Sequence, residues 1–332
     1  MTPTGGYSAD PRIRWTEWLP WLAAGAVFFL LPEYLALGAR ILIFILFALS
    51  LDLILGYAGI ITLGHSAFFG LGAYVAGCLS AKAGVTDPFV QLAAAAGAAG
   101  LLGVLTGAVI LRTRALTLLM LTLAITSILL EVANKWTSMT GGADGLAGVT
   151  VAPILGLFRF DLFGKTAFVY CLAVLFLCWL LVRRLVYSPF GAMLTGLREN
   201  TARMHAIGAP VYLRLVAVYT LSGVLAGIAG ALLTQTNQFV GLNVLGFELA
   251  GELLVMLILG GVGRLYGAFV GPVVYLIAQD ALAKQFPEYW YFGIGLILIL
   301  VVMFAPGGIL GLLDKWRLPF FRPRSSARAL AR

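Results

Sequence analysis

Long apolar stretches alternate with short polar ones along almost the whole chain. Each stretch approaches the length of about 20 residues that an α-helix needs to cross a bilayer. Transmembrane β-strands would instead alternate apolar and polar residues in segments of about ten. The pattern therefore predicts an all-α polytopic membrane protein with about ten transmembrane helices, at residues 18–31, 35–57, 60–81, 89–111, 115–133, 166–186, 211–235, 247–262, 266–284 and 291–312.

The predicted spans form a single transmembrane domain over residues 18–312, which contains two longer polar stretches. Residues 134–165 are predicted as an outer loop, and residues 187–210 as a cytoplasmic segment. The flanks are a cytoplasmic N-terminal segment at residues 1–17 and a basic cytoplasmic tail at residues 313–332.

The first apolar stretch, residues 18–31, follows Arg12 and Arg14, as the apolar part of a signal peptide would. No small-residue cleavage motif follows the stretch, and such a motif marks a removable signal. We therefore expect a retained first helix.

Composition supports the membrane assignment, and charge gives the orientation. Apolar residues make up 61% of the chain and charged residues 11%, against about 45–50% and 25% in soluble domains. The net charge of +8 could suggest nucleic acid, but in a membrane protein Lys and Arg mark the cytoplasmic loops. Ten spans place both termini on one side, and that side holds 16 of the 22 basic residues. We therefore expect both termini in the cytoplasm (N-in, C-in) and no nucleic-acid partner.

The chain lacks the residues of an enzyme or a metal centre. Gly164-Lys165-Thr166 resembles the end of a phosphate-binding loop, but the upstream glycine is missing and the topology places the string outside. With two histidines, a catalytic triad or a metal site is excluded, so no catalytic residue, metal ligand or cofactor is assigned. The three cysteines, which lie in apolar runs without metal-ligand spacing, are Cys78, Cys171 and Cys178.

Energy from an ion gradient would favour ionisable residues deep inside spans. The candidates all fall near predicted helix ends, which weakens ion coupling: Asp52, Glu131, Glu248, Glu252 and Asp280. A transporter of this kind would then take its energy from a partner.

Residues 187–210 carry the pattern of a short amphipathic helix or a pair of them. Ser188 and Pro189 suit a helix start, and Gly208 followed by Pro210 suits its end. The apolar positions recur at near-helical spacing, and Glu199 precedes Arg203 by the four residues that favour an ion pair. Amphipathicity alone favours a helix lying on anionic lipid over a helix that docks a cytoplasmic partner.

Two further segments mix glycine with polar residues. Around helix 3, Tyr57, His65 and Ser66 stand among several glycines, a mixture that lets a helix bend where it faces protein or water. His65 is either a pathway-lining group or, as we favour, a buried imidazole bonded to a backbone carbonyl. In the outer loop, the run Thr140, Gly141, Gly142, Ala143, Asp144 and Gly145 predicts a turn with a local bond from Asp144, without the acid spacing of a calcium loop.

The run RENTARMHAIG (198–208), followed by VYLRLVAVYTLSGVLAGIAGALL, resembles the cytoplasmic signature of branched-chain amino-acid ABC transporter permeases. More broadly it is similar to the permease family that also serves ribose and related sugars. Further stretches match the same family in the same order: residues 51–77, 140–149, 257–274 and 304–312. The basic tail and long outer loop resemble the M-type subunit, which is also close to the second permease of urea and short-chain amide importers.

The resemblance implies an inner-membrane importer of two homologous permeases, two ATPases that hold the ATP and magnesium, and a periplasmic or lipid-anchored binding protein. It implies docking rather than lipid contact for one coupling helix, with the residues Leu197, Arg198, Glu199, Asn200, Arg203, Met204, Ile207 and Gly208. It places Asp144 and its neighbours near an outer gate. The remaining alternatives are a urea or amide permease and, in a different class, a stand-alone ion-coupled transporter or channel.

Overall fold

The computed structural model describes residues 18–30, 32–113, 115–153, 164–304 and 307–311. Within these ranges the chain forms α-helices joined by short irregular segments and no β-strand beyond one isolated bridge. The helices are α1 (Leu19–Leu30), α2 (Leu35–Asp52), α3 (His65–Ala81), α4 (Pro88–Ile110), α5 (Ala115–Lys135), α6 (Thr137–Thr140), α7 (Lys165–Val186), α8 (Pro189–Glu199), α9 (Thr201–Ala206), α10 (Val211–Asn237), α11 (Phe247–Gly260), α12 (Gly267–Gln285) and α13 (Trp290–Phe304).

The protein is an all-α polytopic membrane protein. Five helical stretches in the described ranges are long and apolar enough to cross a bilayer: Pro32–Tyr57, Pro88–Ile110, Leu116–Lys135, Lys165–Val186 and Val211–Asn237. At the other five predicted positions lie the helices α1, α3, α11, α12 and α13, which are shorter or less apolar, so the count of ten spans stays a prediction. Predictions for residues 1–17, 154–163 and 313–332 lie outside the described residues.

The predicted start of the third span was wrong, whereas the second span ends at residue 57 as predicted but changes its helix type on the way. The second span ends as α-helix at Asp52 and continues as a π-helical turn over Leu53–Tyr57. The third span begins at His65 rather than residue 60, because the left-handed Gly59 and the bond from Gly64 N–H to the Thr62 hydroxyl favour irregular backbone there. The last predicted span is described as α-helix over Trp290–Phe304, and its predicted end at residue 312 lies outside the described residues.

Glycine allows α10 to pack directly on α3 and α4 in the centre of the protein. A Cβ atom on Gly72 of α3 would lie 2.5 Å from the Cα of Gly227 on α10. A Cβ on Gly227 would in turn lie 2.5 Å from the Cβ of Ala99 on α4. These backbones approach as closely as small residues permit, which is a common basis of helix association in membranes.

Two side-chain hydrogen bonds show which ends of α4 and α10 lie together in the bundle. Tyr212, at the start of α10, donates to the carbonyl of Ala108 near the end of α4 (2.7 Å). Gln235, at the other end of α10, donates to the carbonyl of Pro88 at the start of α4 (2.9 Å). The basic side chain of Arg112 stacks on Tyr212. Arg112 therefore lies at the end of the bundle where α10 begins and α4 ends.

Candidate functional site

The segment 187–210 folds as two helices rather than as the single helix expected from Leu197 to Gly208. Ser188 accepts the N–H of Phe190 (3.2 Å) at the start of α8. Asn200 then has extended backbone, and its side chain accepts the N–H of Arg203 (2.9 Å), so it begins α9 instead of continuing α8. The break also separates Glu199 from Arg203, and the two side chains form no ion pair in the described structure.

The eight predicted coupling residues divide into an inward set and a surface set. Leu197 is buried, and Met204 is half-buried with its sulfur against Gly196 of α8. Ile207 has 71% of its surface exposed, an unusual position for a large aliphatic side chain. The members that lie exposed on the surface are Arg198, Glu199, Asn200, Arg203, Ile207 and Gly208. They form a continuous exposed ridge along the end of α8, α9 and the turn that follows it.

Arg198 is exposed at the surface, but its guanidinium turns inward and contacts the π-helical turn that follows α2. Its Nη1 donates a hydrogen bond to the carbonyl of Gly56 in the π-helical turn. The Gly56 carbonyl belongs to the last turn of a helix, where carbonyls lack helical partners and a cation is favourable. The carboxylate of Asp52, which is fully buried, accepts the N–H of Gly263 (2.7 Å) in the turn between α11 and α12. Sequence reasoning did not connect these residues, because they are far apart along the chain.

His65 is buried at the start of α3, where it joins three helices. The Ser50 hydroxyl donates to the carbonyl of Phe47 (2.6 Å), so its oxygen accepts the Nε2 proton of His65 (2.8 Å). Ser222 of α10 donates to the carbonyl of Ser50 (2.6 Å) and lies 3.5 Å from the same Nε2. The favoured interpretation was correct that His65 is buried, but its described partners are hydroxyls rather than a backbone carbonyl.

The other predicted pathway residues on this side are buried as well. Ser66 is fully buried next to His65, and its hydroxyl has no partner in the described structure. Tyr57 is buried at the end of the π-helical turn.

In the segment that was predicted as the outer loop, Thr140 takes the role that was predicted for Asp144. Its hydroxyl donates to the carbonyls of Ala133 (2.5 Å) and Trp136 (2.8 Å) and accepts the N–H of Gly142 (3.3 Å). Gly141 and Gly142 have positive φ angles, so the predicted turn is present. Asp144 is exposed and makes no hydrogen bond within the described residues, so the expected local bond was wrong.

The outer loop is tied to the main bundle at two points. Leu146 and Val240 form a two-bond antiparallel bridge, in which the Leu146 N–H donates to Val240 O (2.7 Å). Ser80 donates to the carbonyl of Thr150 (2.6 Å) and accepts its N–H (2.8 Å). The loop up to residue 153 is therefore a fixed part of the fold and holds Asp144 at the surface.

One face of α5, which sequence reasoning did not single out, differs from the exposed faces of its neighbours. The exposed side chains of α4 between Phe89 and Val109 are all apolar, as lipid contact requires. The exposed face of α5 (hereafter the α5 face) instead mixes polar, small and apolar residues: Leu116, Thr117, Met120, Ala124, Ser127, Ile128, Glu131, Val132 and Lys135. Polar groups at membrane depth normally face protein or a water-filled path rather than lipid.

A shallow, open depression lies on the surface of the α5 face, at the end that carries Lys135. Its wall is Ile128, Val132 and Trp136, and its charged groups are Glu131 and Lys135, which form an ion pair (3.2 Å). An exposed pair of this kind contributes little to stability. It does place a negative and a positive group beside an apolar wall. In the described residues no cluster of side chains could hold a metal ion.

Comparison with known proteins identifies the family. The family model described as branched-chain amino acid transport system / permease component matches residues 34–302. The chain belongs to this family. The match includes α2 to α12 and therefore contains α8, α9, the α5 face and the contacts of Arg198.

Individual relatives agree with the family. The permease is similar to the high-affinity branched-chain amino acid transport system permease proteins LivM of Salmonella typhimurium and of Escherichia coli K12. Each is 26% identical over 295 residues, which cover 81% of this chain and 68% of the relative. A probable branched-chain amino acid transport permease protein LivH of Methanocaldococcus jannaschii is 28% identical over 212 residues, covering 58% of this chain and 64% of the relative. No solved structure matches.

Proposed function

We propose that this permease is one half of the membrane path of an ATP-driven importer for branched-chain amino acids in a bacterial inner membrane. It crosses the bilayer ten times with both termini in the cytoplasm, and it pairs with a second, homologous permease. Two ATPase subunits and a periplasmic or lipid-anchored binding protein complete the importer. The family match supports this assignment, as do the relatives of both LivM and LivH type.

The α5 face is the observation that carries the path assignment. Exposed Thr117 and Ser127 are polar groups within the span that favour a hydrated path over lipid, and Glu131 adds a charge near the end of the same face. A single permease leaves this face open, so the second permease closes the path from the other side. Solute then moves along α5 between the two subunits.

The depression at the outer end of α5 suits an aliphatic amino acid. Such a solute carries an ammonium group, a carboxylate and a branched apolar side chain. Glu131 attracts the first, Lys135 the second, and the wall with Trp136 receives the third. Because these groups are largely exposed, the site binds solute with low affinity after the binding protein has delivered it.

The exposed ridge of α8 and α9 is the docking surface for an ATPase subunit. Its exposed Ile207 is flanked by Arg203 and Glu199, which is the mixture of apolar anchor and polar rim found in protein interfaces. Buried Leu194 and Leu197 anchor the ridge to the bundle, so a displacement of the ridge is passed on to the helices. ATP and magnesium bind to the ATPases, and this chain needs no cofactor of its own.

Purification with native partners tests the function. We expect ATPase subunits to co-purify with the permease in detergent. Liposomes containing the complex should take up labelled leucine, isoleucine or valine when the binding protein and ATP are supplied. Uptake of urea or amides instead would correct the substrate class. Solute uptake by the permease alone, driven by an ion gradient, would contradict the proposal.

A further inference from the structure

Arg198 is the connection between the docking ridge and two inner elements of the bundle. Its guanidinium reaches the Gly56 carbonyl, while Asp52, one turn earlier, binds the Gly263 N–H (2.7 Å). Asp52, Gly56, Arg198 and Gly263 (hereafter the Arg198 junction) therefore join α8, the end of α2 and the turn between α11 and α12.

The backbones of the Arg198 junction are in direct contact. A Cβ atom on Gly56 would lie 2.7 Å from the nitrogen of Gly263. A Cβ on Gly263, whose φ angle is +77°, would lie 2.7 Å from Nη1 of Arg198. The stem of Arg198 also packs on Gly59, whose Cβ would lie 2.9 Å from its Cγ. No side chain separates the backbones of these elements. A displacement of Arg198 must therefore move them as well.

The charges of the Arg198 junction are incompletely paired. One oxygen of Asp52 has no hydrogen-bond partner among the described residues, although the carboxylate is fully buried. Arg198 is the neighbouring cation that attracts this carboxylate, yet the two side chains do not form a direct ion pair in the described structure. The energy of a buried carboxylate with an unpartnered oxygen depends on the position of the nearby cation, which here is Arg198.

We propose that Arg198 is the positioning residue that passes movement of the docking ridge to the inner ends of α2, α11 and α12. The inference rests on the proposed function, because it takes the ridge as the ATPase contact. The resemblance to the family implies only that Arg198 belongs to the docking helix, and the inference gives this residue an inward role as well. The π-helical turn after α2 is the element that responds. Its Gly56 carbonyl is held by the side chain of Arg198 rather than by a hydrogen bond within the helix.

The test measures solute moved per ATP hydrolysed by the complete transporter in liposomes. For Arg198→Gln we expect ATP hydrolysis to continue while uptake per ATP falls about tenfold, the effect of leaving one buried polar group unpaired. Arg198→Lys keeps the charge but not the planar guanidinium, and should recover part of the loss. The control is Arg184→Gln, at an exposed position on α7, which should retain the wild-type ratio.

The outcomes separate this inference from the proposed function. A wild-type ratio in Arg198→Gln would overturn the role of Arg198 and leave the function intact. Failure of the wild-type complex to import any branched-chain amino acid would overturn the function instead. If Arg198→Gln does not assemble, Arg198→Lys decides: a lowered ratio supports the role, and a wild-type ratio overturns it.

Discussion

Replacing Ala124 by Trp should reduce uptake to background while the importer still assembles. Ala124 is a small, exposed residue near the middle of the α5 face. An indole at this position would fill the space that we assign to solute between the two permeases. Uptake of labelled leucine by liposomes containing the complex measures the effect, and size-exclusion chromatography checks assembly.

The matched control for this substitution is Ala93→Trp. Ala93 is equally exposed, but it lies on the apolar face of α4, where we expect lipid. An indole is well tolerated against lipid, so uptake should stay close to that of the wild type. Equal uptake by the two variants would contradict the assignment of α5 to the path. Loss of assembly in Ala124→Trp alone would place α5 in a closed subunit contact instead.

A single methyl group on Gly72 should destabilise the permease by about 1–3 kcal/mol, the usual cost of overpacking a well-packed interior. The new Cβ would lie 2.5 Å from the Cα of Gly227, so α3 and α10 must separate. These atoms belong to backbone, which cannot turn away as a side chain can. Thermal unfolding in detergent measures the loss through a fluorogenic maleimide that reacts with the buried Cys171 and Cys178 as they become exposed.

Gly97→Ala is the control for Gly72→Ala. Gly97 also lies inside a membrane helix, but a Cβ there would meet nothing within 4 Å. Since alanine favours a helix over glycine by about 0.5–1 kcal/mol, this variant should be at least as stable as the wild type. A melting temperature for Gly72→Ala equal to that of Gly97→Ala would show that α3 and α10 are less tightly packed than described.

The helices and their class could be predicted from sequence because a bilayer imposes a simple rule on length and hydropathy. The observed helices differ from the predicted ones where a side-chain hydrogen bond takes the place of a helical backbone bond. Asn200 begins a new helix with its side chain, and Thr62 competes for the N–H of Gly64 ahead of α3. Single polar residues of this kind are too common in sequences to mark such a break by themselves.

The candidate site was predictable only in part, for a similar reason. Exposure of Arg203 follows from the polar face of an amphipathic pattern within one short segment, whereas Ile207 belongs to the apolar positions of that pattern and is exposed all the same. The inward turn of Arg198 depends on Gly56 and Gly263, which lie 142 and 65 positions away along the chain. The α5 face was missed because Glu131 was read alone, as a helix-end residue, and Thr117 and Ser127 were not considered with it. Thr117, Ser127 and Glu131, spaced by ten and four residues, were the pattern that could have revealed it.

The central claim is that an ATPase subunit contacts the exposed ridge on the cytoplasmic side. Ile207→Cys tests it most directly, because Ile207 is the large apolar side chain of that ridge and is 71% exposed. In membranes containing the whole importer, a thiol cross-linker should join this cysteine to an ATPase subunit, and an impermeant maleimide should label it in inside-out vesicles only. Labelling from the outer side of intact cells, or a cysteine that cross-links to no ATPase subunit in the assembled importer, would contradict the account.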